Sequence, residues 1–542
     1  MSAVMSPVEQ RSPGSSPRTL WLLAAAIAVV LAIDLVSIRH APTPNADLQV
    51  YASIARARQL YGIGVPTETW NSPVAVDHLP FYGPVFFSLA TTALRWFGVT
   101  LLSFRLTSVL GAALCLAAAA LLASVLSGSR ERWLWAIALT LLTPEVSNGL
   151  GTGVMHMLAV GFELLTLAAF AGGLRQPGRA GVLLSAGAGV ALAMAAMTTT
   201  RSYLFIAAFF GTGLLLRLAG SPLPRDARWK YAAAAAGFGL PFLWWIVISH
   251  GDPIRWARYM TYIFTHEDTD VAILPTAMRE FQFSWTPALT PLVGLVGAVL
   301  AARGIRRERR GSFNSPPVAA FVLVTAFTTY VITVVVLNYT FEIGDYFAIP
   351  LFVVVVAMPL RVFALPERTC RALVGLLLTC QAGLFAVKAL RAAATWDATN
   401  PTPLNEFVQS LVPPGSVVVG PEAPYFFPVE RSGSRYRTFS PRSWADWARW
   451  VPVIEPESVR HAARDREAPP LNRFFIWPAG AELPDGYDCV RGRVAGVFQP
   501  PETHLDRLGP IGGRAFDRGY PPSVLYRLPP GCPAGYDPTV GH

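Results

Sequence analysis

Leu79-Pro-Phe-Tyr-Gly-Pro-Val-Phe-Phe-Ser-Leu-Ala-Thr-Thr-Ala-Leu-Arg-Trp-Phe-Gly-Val99 decides how this chain is threaded. The run is apolar and about as long as the roughly 20 residues that cross a bilayer. Yet Pro80, Gly83 and Pro84 break its start, and Trp96 suits a membrane–water interface. Apolar segments flank it near 19–38, 104–127, 133–149, 155–174, 181–199, 202–219, 231–249, 285–302, 316–337, 345–363 and 371–390. Basic clusters lie between some of them: Arg130 and Arg132, Arg175 and Arg179, Arg217 to Lys230, Arg303 to Arg310, and Arg361 to Arg371. Such clusters face the cytoplasm in membrane proteins. With a cytoplasmic N-terminus, a crossing at 79–99 turns all of them outward. A segment lying along the interface keeps them all inside. The predicted fold is therefore a mainly α, polytopic transmembrane bundle of about eleven spans, with an extracytoplasmic C-terminal region.

Composition agrees. The 542 residues are 53% hydrophobic and 14% charged, with mean hydropathy +0.41, which excludes an ordinary soluble enzyme. The net charge of +10 comes almost wholly from arginine, since Lys230 and Lys388 are the only lysines. Arginine over lysine, with much Ala and Pro, suggests a GC-rich bacterial genome. The arginines cluster between apolar spans, so they read as orientation signals rather than as a nucleic-acid surface. Residues 1–18 are long and weakly charged for a signal n-region, and no small-x-small site follows Thr19–Ile38. We read a cytoplasmic tail followed by a retained first helix. The cysteines Cys115, Cys370 and Cys380 lie in or beside apolar spans and read as small core residues. Cys489 and Cys532 share the polar C-terminal region and would pair if it faces an oxidising compartment.

From about 400 the chain turns polar. Strand-like runs at Ser416–Val419, Phe474–Trp477 and Ser523–Leu528, between Pro- and Gly-rich stretches, predict a small α/β domain over 400–542. On the face opposite the basic clusters the predicted topology collects 39–103, 144–155, Thr200–Ser202, 250–284 and 338–345. The long first loop carries Pro44-Asn-Ala-Asp47-Leu-Gln-Val-Tyr51-Ala-Ser-Ile-Ala-Arg56. A carboxylate, an aromatic and an arginine beside the bilayer look more like a reaction site than a scaffold. Asp47 is also placed to cap the helical-looking Leu48–Leu60; a cap and a base are compatible roles. Glu163 and Asp34 fall within predicted spans, where acids are costly and are either functional or held by structural hydrogen bonds. His266-Glu-Asp-Thr-Asp270 looks superficially like a metal cluster, but consecutive acids in an exposed loop are usually just solvated, so no metal site is assigned.

Asp47 followed by Tyr51-Ala-Ser-Ile-Ala-Arg56 resembles the first-loop motif of the GT-C class of polytopic glycosyltransferases, especially the protein O-mannosyltransferase and aminoarabinose-transferase branch. His78-Leu-Pro80-Phe-Tyr82 is similar to that family's Lys/His-Pro-Pro-Leu-x-Tyr element. Phe97-Gly98 with Phe104-Arg105-Leu106 resembles its Phe-Gly…Arg-Leu-Pro element. Thr199-Thr200-Arg201 resembles a common Thr-Arg turn, and Tyr346-Phe-Ala-Ile-Pro350 its Arg-Tyr-x-x-Pro motif. The resemblance covers roughly 19–390, and it has departures. Leu48 follows Asp47 where Glu is common, His156 stands at the second acidic position, and Asp345 replaces Arg before Tyr346.

The resemblance implies inverting transfer of a sugar from a polyprenyl-phosphate donor to a protein, lipid or glycan acceptor, at the outer face of a bacterial inner membrane. Asp47 would be the base. Arg105, Arg201 and His78 would hold the donor phosphate, with Arg255, Arg258 and His266 as further options. Arginines at helix ends also meet lipid headgroups as a matter of course. His156, Tyr51 and Tyr346 are candidates for an acceptor or second site. A cofactor is not indicated, and a divalent metal is left open. The alternative from another class is a transporter or lipid flippase, which would show inverted repeats and broken helices at the midplane. A polysaccharide polymerase or ligase would share the donor but not the aspartate motif.

Overall fold

A computed structural model describes residues 17–40, 44, 46–61, 83–127, 133–142, 146, 150, 153, 155–218, 226–250, 253–254, 256–257, 316–337, 367–421, 424–438, 472–484, 486–501 and 519–532. Its helices are α1 (Pro17–Ser37), α2 (Ala46–Tyr61), α3 (Pro84–Phe97), α4 (Leu101–Ser127), α5 (Trp133–Leu141), α6 (His156–Arg175), α7 (Gly178–Ala196), α8 (Ser202–Leu218), α9 (Ala227–His250), α10 (Pro316–Leu337), α11 (Glu367–Ala394) and α12 (Thr402–Leu411). Strand β1 (Val417–Gly420), helix α13 (Phe426–Arg431), β2 (Arg435–Thr438), β3 (Arg473–Pro478), β4 (Val494–Phe498) and β5 (Ser523–Arg527) follow. The expected spans 285–302 and 345–363 lie outside the described residues.

Among the described residues, α1, α4, α6 and α7 are long and apolar enough to cross a membrane, with α8 a shorter apolar helix. Burial differs sharply between them. The apolar window of α6 is 78% buried and that of α1 only 11%. Thus α6 is the axis, packed against α4 and α7, with α8, α9 and α10 also touching it. The outer faces carry Trp21, Leu22, Leu183, Leu214, Leu240 and Trp244, all exposed. Large apolar side chains turned outward along whole helices suit hydrocarbon rather than water.

The segment that decided the threading forms α3. Gly83 precedes it, Pro84 opens it, and Gly98 closes it with φ +80°. At 14 residues it is too short to span. Phe86, Phe87, Ala90 and Leu94 are buried on one face, whereas Trp96 and Phe97 are exposed at its end. Its burial is one-sided, as in an amphipathic helix.

Among the described residues the C-terminal region builds a five-stranded sheet of order β2-β1-β3-β5-β4. Strand β1 runs parallel to β2 and β3, and β5 runs antiparallel to β3 and β4. The expected strands at 416–419, 474–477 and 523–528 are present; β2 and β4 were not foreseen. Cys489 and Cys532 form a disulfide, and Cys115 is a buried core residue, as the sequence suggested, whose thiol donates to the Met157 carbonyl at 3.4 Å. The disulfide closes a loop of 43 residues, which in the chain-entropy view is worth about 4 kcal/mol. Cys489→Ser with Cys532→Ser should lower the melting temperature of this domain, read by protease resistance on heating, and reducing agent should lower wild type to the same value.

Candidate functional site

Helix α2 was expected at Leu48–Leu60 and starts slightly earlier, at Ala46. Asp47 therefore sits in its first turn rather than at the cap position. The helix is wrapped on all sides: Leu48, Gln49, Tyr51, Ala52, Ser53, Ile54, Ala55 and Ala57 are all buried. It lies between α3 and α4 on one side and the C-terminal domain on the other, in one apolar core that includes Leu48, Phe86, Phe87, Phe104, Leu404, Phe426 and Phe427. Phe104 meets Phe427 directly, with ring centroids 6.0 Å apart.

This packing revises the reading of the Asp47–Arg56 cluster as a reaction site throughout. Tyr51 is only 7% exposed and packs edge-on against Phe86 and Phe87, at 6.2 and 6.3 Å. Arg56 donates from Nε to Glu430 Oε2 at 3.1 Å and from Nη1 to Gln59 Oε1 at 2.7 Å. Two of the three marked residues seat the helix. Sequence reasoning missed Glu430, an isolated acid with no pattern around it.

The chain brings several helix ends to the same end of the bundle. A Cβ at Gly153, ahead of α6, would meet Leu48 Cδ1 at 2.8 Å, so the start of α6 lies beside the start of α2. Val85 at the start of α3 donates its N–H to the Met197 carbonyl at the end of α7, at 3.3 Å. His156 opens α6 and is half-buried. Arg201, in the turn between α7 and α8, is also half-buried and close enough for its charge to act on His156. Arg105, early in α4, is fully enclosed and donates from Nη1 to the Ile38 carbonyl at 2.7 Å, tying α4 to the end of α1. Asp47, His156, Arg201 and Arg105 thus share one end. Arg175, bonded to the Leu126 carbonyl at the far end of α4, marks the opposite one. His78, Tyr346, Arg255, Arg258 and the 266–270 cluster lie outside the described residues. No group of three potential metal ligands occurs among the described residues.

Glu163, two turns into α6 from His156, is fully buried. Its carboxyl faces Ser202 at the start of α8, but neither oxygen makes a well-formed hydrogen bond among the described residues. Asp34 is equally buried in α1.

Beside Ile38, the His40 ring stacks on Trp396, centroids 3.7 Å apart, and Nδ1 lies 3.2 Å from the Trp396 carbonyl. That contact requires a proton on Nδ1. Burial holds the His40 pKa below its ordinary 6.5; the Trp396 bond and Asp397 oppose the shift, whereas Arg39 and Arg105 reinforce it. Because burial depresses the folded-state pKa, the contribution of His40 to stability is fully present above pH 6.5 and is lost as the pH falls below it, when the imidazolium must form in a buried place. Acidification to about pH 5.5 should therefore lower the melting temperature of wild type more than that of His40→Asn.

No protein-family model matches the chain, and no curated protein matches its sequence. Solved structures do. ArnT from Cupriavidus metallidurans bound to undecaprenyl phosphate superposes with TM-score 0.51 at 12% identity, over 96% of this chain and 100% of that one. ArnT in the apo state gives 0.52 at 12% identity over 94% and 98%. The chain has a GT-C-type fold. The match runs over the full length of ArnT. The archaeal oligosaccharyltransferase AglB from Archaeoglobus fulgidus is a weaker match, TM-score 0.46 at 14% identity over 86% of this chain and 70% of that one.

Proposed function

We propose that the chain is a membrane glycosyltransferase that moves a sugar from a polyprenyl-phosphate donor to an acceptor at the extracytoplasmic face of a bacterial inner membrane. The observation that carries this reading is the full-length likeness to ArnT, a protein solved with undecaprenyl phosphate. In the reaction, Asp47 removes the proton of an acceptor hydroxyl. That oxygen attacks the anomeric carbon from the face opposite the phosphate, the carbon–oxygen bond to phosphate breaks, and polyprenyl phosphate departs with both electrons. Inversion follows from this single displacement. The leaving group gains charge, which arginine stabilises well through paired N–H donors. Arg201, half-buried at the candidate end, takes this role more readily than Arg105, whose guanidinium is enclosed and already engaged with Ile38. On the family resemblance His78 is assigned as a second phosphate ligand, and His156 and Tyr346 are assigned to the acceptor. Tyr51 acts through the seating of α2.

The outward orientation is supported from two directions. Arginine clusters favour the cytoplasm, and the end of α6 that carries Arg175 is opposite the end that carries Asp47. The C-terminal domain, which touches α2 directly, holds a disulfide, as proteins of oxidising compartments do.

The test is transfer of label by purified protein from a panel of polyprenyl-phosphate sugars. Turnover of one donor with release of polyprenyl phosphate supports the reading. Movement of lipid across vesicles without cleavage of any donor would replace it with a flippase.

A further inference from the structure

Glu430 lies on α13 of the C-terminal domain with a fully buried side chain. It accepts from Arg56 Nε at 3.1 Å, from Arg435 Nη1 at 3.4 Å, and, through Oε1, from the Tyr436 backbone N–H at 3.0 Å. Arg56 is itself 13% exposed. An ion pair enclosed to this degree gives little net stability, because the desolvation of both charges offsets their attraction; what it does fix is orientation. Here the orientation fixed is that of α2. Toward α3, α2 is held by Thr91 Oγ1 donating to the Ala55 carbonyl at 3.2 Å and by Gln59 Nε2 donating to the Leu94 carbonyl at 3.5 Å; toward the C-terminal domain it shares an apolar core, and apolar packing tolerates sliding better than a charged pair with defined donors. Arg56 lies nine positions after Asp47 on the same helix, which at 1.5 Å per residue is about 14 Å of rigid lever.

We propose that Glu430 is a positioning residue for transfer: through Arg56 it sets the depth and rotation of α2, and so holds Asp47 against the acceptor. This rests on the function proposed above. The C-terminal domain is then a working part of the site without touching substrate. A displacement of about 1 Å at a reacting group is enough for a loss of about 10²-fold.

The experiment compares Arg56→Gln, Glu430→Gln, the double variant and Arg56→Lys in the full-length protein. It uses two readouts, sugar transfer and amide hydrogen exchange. Each single substitution should lower kcat about 10²-fold with the donor KM nearly unchanged. Exchange over 46–61 should rise while exchange over 202–218 stays at the wild-type level. The double variant should be no worse than either single one, and Arg56→Lys should recover part of the loss. Wild-type kcat in both single variants overturns the proposal, whether or not exchange over 46–61 rises. So does exchange that rises equally over 202–218, which means general unfolding. If Glu430→Gln fails to fold, Arg56→Gln decides the matter from the α2 side. If wild type transfers no sugar from any donor, the function falls, and exchange over 46–61 still reports separately whether Glu430 holds the helix.

Discussion

Asp47→Asn should lower sugar transfer by about 10² to 10⁴-fold, the usual contribution of a general base, with the protein folded and the donor still bound. The substitution keeps the size and hydrogen-bonding shape of the side chain and removes its capacity to take a proton. Helix α2 should not suffer, since Asn and Asp are about equally good near a helix start, and the helix is held by the burial of Leu48, Tyr51, Ile54, Ala55 and Ala57. Donor affinity should survive because the phosphate is assigned to Arg201 and its neighbours. The loss therefore belongs in kcat rather than in donor KM. Asp47→Glu is the informative companion: it retains a base but displaces it by one methylene, and should leave a residual rate above that of Asn. Labelled-donor transfer under single-turnover conditions measures both. Transfer by Asp47→Asn within about threefold of wild type, well short of a base's contribution, would remove Asp47 from the chemistry and leave it as a residue of the first helical turn.

How much of this could be read beforehand depends on whether a feature is local. The long apolar helices α1, α4, α6 and α7 were legible because hydrocarbon demands continuous apolar stretches, a requirement that composition alone satisfies. The limits of α3 were legible because Gly83, Pro84 and Gly98 punctuate the chain at the turns themselves. In the C-terminal domain, the strands with apolar runs were found. Two escaped. Arg435-Tyr-Arg-Thr438 has charged alternate positions, and Val494-Ala-Gly-Val-Phe498 carries a glycine near a register irregularity. The division of labour inside the Asp47–Arg56 motif was not legible at all. Arg56 meets an acid 374 positions later, and neither residue carries a local sign of the other. Arg105 teaches the same lesson: its motif puts it at the same end of the bundle as Asp47, but its hydrogen bond to Ile38 depends on how α1 and α4 come together.

The second large effect is expected far from the chemistry, at Gly189→Leu. Helices α7 and α9 touch backbone to backbone. A Cβ at Gly189 would lie 2.0 Å from the Ala234 carbonyl oxygen and 2.7 Å from the Phe238 nitrogen, and one at Gly237 would lie 2.2 Å from the Ala186 carbonyl oxygen. Within a bilayer, helices gain little from hiding apolar surface from one another, so close fit between small residues supplies most of the attraction. A leucine here cannot be absorbed by turning a flexible side chain, because the obstacle is main chain. The helices must part, and an overpacked site of this kind costs about 3 kcal/mol or more. Gly187 provides the control: it is two residues away on the same helix, and a Cβ there meets nothing within 4 Å. Gly189→Leu should melt well below wild type in detergent, or fail to yield monodisperse protein, whereas Gly187→Leu should match wild type. The milder Gly189→Ala should fold and lose activity in proportion to its strain. The end of α7 accepts the hydrogen bond from Val85 and leads into the turn bearing Arg201, so parting α7 from α9 shifts the phosphate ligand relative to α2. Equal melting of Gly189→Leu and Gly187→Leu would show that α7 and α9 do not meet at this crossing.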